Sequence, residues 1–280
     1  MSYTIYWQRH ANACSNMLNI LGQSGPMGFI KHIIKGQKPP IMTIIRDSLL
    51  SNLGVRQAQV AGMRLIKEVA NVQVVFCSNL SRAIETAIYA YPNKLIYPIP
   101  HISELRKDII FGSNKMNEPL TVHELMRRFP QKNIHWDILM RYKHVIKPSF
   151  TKFMKEIIPE IIKLGYRQMI IISHGDFIRY KVAPGSVRLN NTGVIKHQVE
   201  MTKDKYKVFE QKLIYNPTSI IFNGVNIDIT HNGLKKSMTS DMLKRCHRDL
   251  QMYLDKIKKG GRKIINYRNG KLVEINFKYL

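Results

Sequence analysis

The chain has 280 residues, 44% of them hydrophobic, which is long and apolar enough for one domain with an extension and excludes a disordered chain. Its net charge of +25 favours polyanionic partners such as RNA, DNA, inositol polyphosphates or an acidic membrane surface, and says nothing about the fold. No apolar run approaches the ~20 residues that cross a bilayer, and no charged-then-apolar leader opens the chain, so a soluble intracellular protein is expected.

Residues 3–8, rich in β-branched and aromatic side chains, predict a strand that ends at Arg9 and His10. Residues 20–46 are punctuated by glycines and the pair Pro39-Pro40, and read as a long basic loop with one short helix near 27–34; a loop of that length in a compact domain is usually a functional lid or partly disordered. A helix is predicted over 55–70, a strand over 73–77, a helix over 80–91 stopped by Pro92, and a short strand over 94–97. Residues 101–135 read as irregular apart from a helix at 121–129. A long helix is expected over 140–163, with Pro148 and Pro159 near its ends or kinking it. The unalternating run at 168–172 suits a strand covered on both faces.

Residues 192–222 predict short antiparallel strands that complete the sheet. A strand at 226–232, a basic helix at 239–259 and a hairpin turning at Asn269-Gly270 follow. The last forty residues carry eleven Lys/Arg against four Asp/Glu. They predict a basic extension from 226 to 280 packed on a first domain of residues 1–225, its charge either a solvated face or a polyanion-docking surface.

Cys14, Cys77 and Cys246 show neither a disulfide framework nor metal-ligand spacing, which favours a reducing compartment. Cys14 follows His10 closely, and the simpler reading is a small residue packed beside a site. With no cluster of histidines, cysteines and carboxylates at ligand spacing, neither a metal nor another cofactor is expected. The abundance of Lys, Ile and Asn is that of AT-rich coding, as in a large DNA virus or a protist, and the expected location is the cytoplasm, the host's if viral.

Two apolar runs end abruptly in an imidazole, at His10 and at His174, and a third ends in a polar loop bearing Arg82. Open α/β sheets place their chemistry just beyond the carboxyl ends of strands, so these groups can converge. Histidine can carry a phosphoryl group covalently, and arginine pairs with two phosphate oxygens while keeping its charge. In order, the chain reads Arg9-His10-Ala11 with Asn16, then Asp47 to Gly54, Gln57 and Ala58, then Ser78-Asn79-Leu80-Ser81-Arg82-Ala83 with Thr86, then Ser173-His174-Gly175. Over roughly residues 3–195 this resembles the histidine phosphatase superfamily, also called phosphoglycerate mutase-like.

The resemblance implies a three-layer α/β fold, with a mostly parallel central sheet and helices on both faces, to which the C-terminal α+β extension is added. It implies that His10 is the nucleophile, that Arg9, Arg82, His174 and Asn16 hold the phosphoryl oxygens, and that a mid-chain carboxylate is the acid. Glu104 is the first choice for that acid and Asp108, close to Gly112, the alternative. Asn191-Thr192-Gly193 matches a family loop that would orient His174 or the ligand. Asp176, Arg179, Lys181 and the loop cations Lys31, His32, Lys35 and Lys38 are further candidates for contact with a polyanion. The chain departs from the family at Ala11, where glycine is expected; alanine resists positive φ, and tolerance is expected.

The implied activity is metal-independent hydrolysis of a phosphomonoester through phosphohistidine. The alternatives are phosphoglycerate mutase-type phosphoryl transfer and a non-catalytic phosphate- or polyanion-binding protein. The expected partner is a phosphorylated small molecule or another polyanionic substrate. Nucleic acid could meet the basic surface but is not predicted, and the oligomeric state stays open.

Overall fold

A computed structural model describes residues 2–22, 46–104, 115–202, 205–249, 262–268 and 271–278. Six strands form one sheet in the order β3-β2-β4-β1-β5-β6: β1 (Ser2–Arg9), β2 (Val74–Ser78), β3 (Leu95–Ile99), β4 (Gln168–Ser173), β5 (Val194–Thr202) and β6 (Lys205–Tyr215). The first four in that order run parallel, while β5 and β6 complete the sheet antiparallel. The fold is therefore the expected α/β architecture.

Strand register sets the site. Arg9 lies opposite Ser173 across β1 and β4, Cys77 opposite Ile172 across β2 and β4, and Ser78 opposite Ile99 across β2 and β3. The parallel strands thus end almost in one row, and His10, His174 and the loop after Ser78 all leave from that edge. Along β4, Met169 and Ile171 face one apolar cluster with Trp7, Phe76, Phe153 and Phe177, while Ile170 and Ile172 face another with Tyr6, Val75 and Ala83. Burial on both faces explains the unalternating sequence of this strand.

Helices α2 (Asn52–Leu65) and α3 (Ser81–Ala90) supply Ala58, Leu65, Ala83, Ile84 and Ala87 to the second cluster, whereas helix α1 (Cys14–Gly22) faces a third. Helix α4 (Val122–Arg128) begins with a full capping box, Thr121 accepting from the Glu124 backbone N–H while the Glu124 side chain accepts from that of Thr121. The expected long helix over 140–163 is instead interrupted. Helix α5 (Asp137–Arg141) ends early, and helical structure resumes at Phe150–Lys152, passes through a π-turn at Phe153–Ile157 and finishes at Ile158–Lys163. Pro148 keeps the residue before it out of helical geometry, and Pro159 lacks the N–H that a regular turn would use. The short loop helix near 27–34 and the turn at 269–270 lie outside the described residues; of the expected helix over 239–259, Ser240–Leu243 is helical and Lys244–Cys246 continues as a 3-10 turn, while residues 250–259 lie outside the described residues.

Beyond the sheet, β7 (Ser219–Phe222) and β8 (Val225–Asp228) form a hairpin, so the expected boundary between 225 and 226 falls inside it. Strands β9 (Arg262–Arg268) and β10 (Lys271–Lys278) pair antiparallel as the expected terminal hairpin. A third apolar cluster joins Cys14, Met17 and Leu53 to Phe222, Ile227, Leu234 and Met242. Arg245 reinforces it: the guanidinium pairs with Glu85 and donates to Tyr89 Oη (3.0 Å) and Leu50 O (3.2 Å). Burial pushes the Glu85 carboxyl up to about 7 despite the Arg245 charge.

The reading of the cysteines needs correction. Cys14 and Cys246 are joined by a disulfide with Cα atoms 5.2 Å apart, across a sequence separation of 232, while Cys77 is free and buried. Spacing alone could not show this pair, because the third cluster brings it together. A Cys246→Ser variant is expected to lose about 2–4 kcal/mol of stability. Urea unfolding of the oxidised protein beside the variant measures the loss, and equal midpoints would show that the bridge contributes nothing.

Candidate active site

The Arg9-His10 corner is held on three sides. Arg9 N donates to Gly193 O (2.9 Å), Thr192 N donates to Arg9 O (3.1 Å), and His10 N donates to Ser173 O (3.0 Å). Asn191 Nδ2 donates to His10 O (2.9 Å). The Asn191-Thr192-Gly193 loop therefore fixes the Arg9-His10 backbone rather than His174. Thr192 holds a φ of 66°, unusual for a β-branched residue and the kind of strain that packing maintains near functional sites. Ala11 is not among the described non-glycine residues with positive φ, so its methyl group meets no backbone penalty there. Its N–H donates to Thr86 Oγ1 (3.0 Å), which itself donates to Arg82 O (2.7 Å), locking the loop to the first turn of α3.

The other motif residues support these loops. Asp47 caps α3, accepting from Ser81 N (2.7 Å) and Ser81 Oγ (2.9 Å), and Gln57 Oε1 accepts from Asn12 N (2.9 Å). Asn16 Oδ1 accepts from Ala13 N (3.0 Å), which leaves the amide donors of Asn16 for the cavity it lines. Gly175 lets the guanidinium of Arg9 lie close, since a Cβ there would sit 3.1 Å from Arg9 Nε.

The cavity has a volume of about 210 Å³ and is lined by Arg9, His10, Asn16, Arg82 and Glu104 among others. His10 Nδ1 lies 2.7 Å from Ala11 O, so a proton on Nδ1 turns the Nε2 lone pair away from that carbonyl. The rings of His10 and His174 stand 4.9 Å apart. His174 Nε2 lies 2.8 Å from Ser78 Oγ, and its Nδ1 lies 3.1 Å from Glu104 Oε2. Arg82 Nη2 is 3.7 Å from the same carboxylate oxygen and donates to Asn117 Oδ1 (2.8 Å), while Arg82 Nη1 donates to Met116 O (3.1 Å). Arg9 Nη1 donates to Leu189 O (2.7 Å), and its buried Nε has no hydrogen-bond partner among the described residues.

Electrostatics follow from burial and crowded cations. Burial holds His10 well below the usual imidazole range, helped by the charges of His174, Arg82 and Arg9, so the ring is neutral at pH 7. Burial also lowers Arg9 to about 10, still protonated, with Glu104 opposing the shift. Burial pulls the Glu104 carboxyl up, but His174, Arg82 and Arg9 outweigh it and hold it near 2. In the coupled Glu104-His174 pair, the two guanidiniums dictate the direction: the carboxylate stays ionised. Donor atoms of His10, Glu104 and His174 lie within 4.8 Å of one another and could reach one metal ion. Arg9 and Arg82 share that space, however, and their charges oppose a cation while favouring an anion.

The structure thus brings together His10, His174, Arg9, Arg82, Glu104 and Asn16. Asp176 also lines the cavity, whereas Arg179 and Lys181 are exposed and do not. Asp108, Lys31, His32, Lys35 and Lys38 lie outside the described residues. Sequence reasoning missed Ser78, Asn117 and Arg188 as neighbours of the site. Ser78 had a signal, as the first residue of the Ser-x-Leu-x-Arg stretch; Asn117 and Arg188 sit in stretches without a motif.

The protein is thus an α/β protein whose mostly parallel sheet gathers two imidazoles, two guanidiniums and a carboxylate at the carboxyl edge of its strands, a set whose chemistry suits an anion. The family model of the histidine phosphatase superfamily (branch 1) matches residues 37–184, more than half of the chain. The protein belongs to this superfamily. The matched segment holds Arg82, Glu104 and His174, and β1 brings Arg9 and His10 to them from outside it. Solved structures are similar at low identity. YhfR of Bacillus stearothermophilus has 17% identity and a TM-score of 0.41, covering 74% of this chain and 95% of its own. A phosphoserine phosphatase mutant from Entamoeba histolytica has 17% identity and a TM-score of 0.40, with 74% and 95% covered. The ecdysone phosphate phosphatase of Bombix mori has 15% identity and a TM-score of 0.44, with 79% and 97% covered. Comparison with curated proteins gave no match. Among the described residues no helix is long and apolar enough to cross a membrane.

Proposed function

We propose that the protein hydrolyses phosphomonoesters through a phosphohistidine on His10, with no metal required. The observation that carries this reading is a neutral, buried His10 bonded through Nδ1 and flanked by Arg9, Arg82 and His174 in one cavity. A phosphoryl dianion entering there meets Arg9, Arg82 and the Asn16 amide. His10 Nε2 attacks phosphorus in line as the ester P–O bond breaks, and the leaving oxygen takes a proton from Glu104. Glu104, now a carboxylate, then takes a proton from water as that water attacks phosphorus; the P–N bond breaks and inorganic phosphate leaves. The guanidiniums supply the charge stabilisation that a divalent ion supplies in other phosphoryl-transfer enzymes.

Glu104 is ionised before substrate binds, so it must gain its proton with the substrate. An arriving dianion engages Arg9 and Arg82 and places negative charge beside the carboxylate, and both changes raise its pKa. A monoanionic ester could also carry the proton in. Activity is therefore expected to be highest in acid and to fall as the pH rises towards 8.

The test is phosphate release in EDTA from p-nitrophenyl phosphate and from glycerol phosphate. Wild type should turn over both, and Glu104→Gln should lose about 10²–10⁴-fold in kcat on glycerol phosphate, the usual span for a general acid. The loss should be much smaller on p-nitrophenyl phosphate, whose leaving group needs little protonation. Equal losses on both esters would remove Glu104 from the acid role, and a folded wild type that hydrolyses neither ester nor a broader phosphomonoester panel would sink the reading.

A further inference from the structure

The mouth of the cavity holds a third guanidinium, Arg188, which the steps above do not use. Its place in the chain is tightly defined. Leu189, the next residue, is 3% exposed and packs in the core cluster of Trp7, and its carbonyl accepts from Arg9 Nη1 at 2.7 Å. Asn190 is tied to the segment before β7, with its N–H donating to Asn216 Oδ1 (2.7 Å) and its Nδ2 to Pro217 O (3.0 Å). Asn191 is bonded to His10 O. The backbone carrying Arg188 is thereby fixed to the same corner that presents Arg9 and His10, although the Arg188 side chain itself is exposed.

Charge adds a second argument. Arg188 is close enough for its charge to disfavour protonation of Arg9, so like charges face one small space. Among the described residues Arg188 forms no ion pair with a carboxylate, and Glu104 and Asp176, which share the lining with three guanidiniums, offset their charge only in part. An anion between the guanidiniums relieves the repulsion, and the phosphoryl group occupies the deep end with Arg9, Arg82 and the two histidines. What remains for Arg188, an exposed member of the lining, is the part of the substrate nearer solvent.

We propose that Arg188 forms a second anion subsite, which selects phosphomonoesters bearing another anionic group, a carboxylate or a second phosphoryl, a few bonds from the scissile phosphate. This rests on the phosphatase reading of the same cavity. Arg188 acts on selection: it binds the part of the substrate that does not react, so its contribution falls mainly on KM. Being exposed, it is screened by salt, and the preference should shrink as ionic strength rises.

The test compares four esters: propyl phosphate, phosphoglycolate, propane-1,3-diol bisphosphate and phosphoethanolamine. Wild type should favour the two esters with anionic tails, phosphoglycolate and the bisphosphate, over propyl phosphate by at least about tenfold in kcat/KM, the size of one charge-assisted contact. Arg188→Leu should reduce that ratio about tenfold, Arg188→Lys should keep part of it, and Arg188→Glu should shift preference towards phosphoethanolamine. Whichever of phosphoglycolate and the bisphosphate loses more identifies the group held. A ratio near one in wild type, a ratio that survives in Arg188→Leu, or equal losses on all four esters would each overturn the subsite. If wild type turns over none of them, the phosphatase reading fails separately. The subsite is then read from calorimetric affinities of the same compounds, where the same ratio and its loss in Arg188→Leu support it and their absence overturns it.

Discussion

His10→Ala should leave a folded protein whose release of phosphate from p-nitrophenyl phosphate is reduced at least about 10³-fold, to the level of buffer alone. The size follows from the role proposed for it. Without an imidazole nitrogen there is no covalent intermediate, and what remains is a cationic cavity that binds phosphate but offers no nucleophile. Binding and turnover should therefore separate: KM or inhibition by inorganic phosphate should change little compared with kcat, because Arg9, Arg82 and Asn16 are untouched. Alkaline quenching during turnover of a radiolabelled ester should trap label on wild type, since a phosphoramidate survives base, and none on His10→Ala. Residual activity above one per cent of wild type, or label retained by the variant, would place the nucleophile elsewhere.

Gly54→Ala should be strongly destabilising although it adds only one methyl group. A Cβ at Gly54 would stand 1.9 Å from Asn12 O and 2.8 Å from the Asn12 carbonyl carbon, both backbone atoms that no rotamer change can move aside. Helix α2 begins here with Ser51 as its cap, accepting from Gly54 N at 3.0 Å, while Ser51 N donates to Asn12 O at 3.0 Å. The helix start and the loop after His10 are thus in direct backbone contact. Separating them costs packing and at least one of these bonds, at least about 3 kcal/mol together. It also shifts the loop after His10 that leads into α1, the helix that carries Asn16. Thermal unfolding and p-nitrophenyl phosphate kinetics should both worsen; a melting temperature within 2 °C of wild type would show, on the scale of about 2–4 °C per kcal/mol for a chain of this size, that the loop gives way freely.

Local pattern was a good guide wherever burial alone dictates structure. Val74–Ser78 and Gln168–Ser173 are strands because runs of β-branched and apolar side chains suit a strand covered on both faces. Thr121 and Glu124 announce a helix start through a purely local exchange of hydrogen bonds. Local pattern failed around Phe153–Ile157, where apolar spacing continues through a region in which Pro148 and Pro159 remove backbone donors and the helix breaks and re-forms with a π-turn. The boundary at 225 was drawn from composition, which carries no information about pairing; Val225 pairs with Phe222 in the β7-β8 hairpin, which packs with α1.

The candidate site divides in the same way. The order of Arg9-His10, Ser78 to Thr86 and Ser173-His174-Gly175 was legible because each marks a strand end, and parallel strands bring their ends to one edge. Sequence could also nominate Glu104, but not its contacts: the 3.1 Å approach to His174 depends on the turn at Pro100–Ile102 and on Ser173 Oγ donating to Ile102 O at 2.7 Å.

What the sequence by itself determined is the family, the sheet strands and the chemical types gathered at their ends, all of which follow from short-range pattern and motif order. Only the tertiary structure decided that Cys14 meets Cys246, that Arg245 closes on Glu85, that the Asn191 loop serves His10, and that Arg188 shares the cavity with Arg9. Each of those contacts joins distant or motif-free residues through packing of loops onto the sheet, and the free energy that selects it belongs to the assembled core rather than to any local stretch of chain.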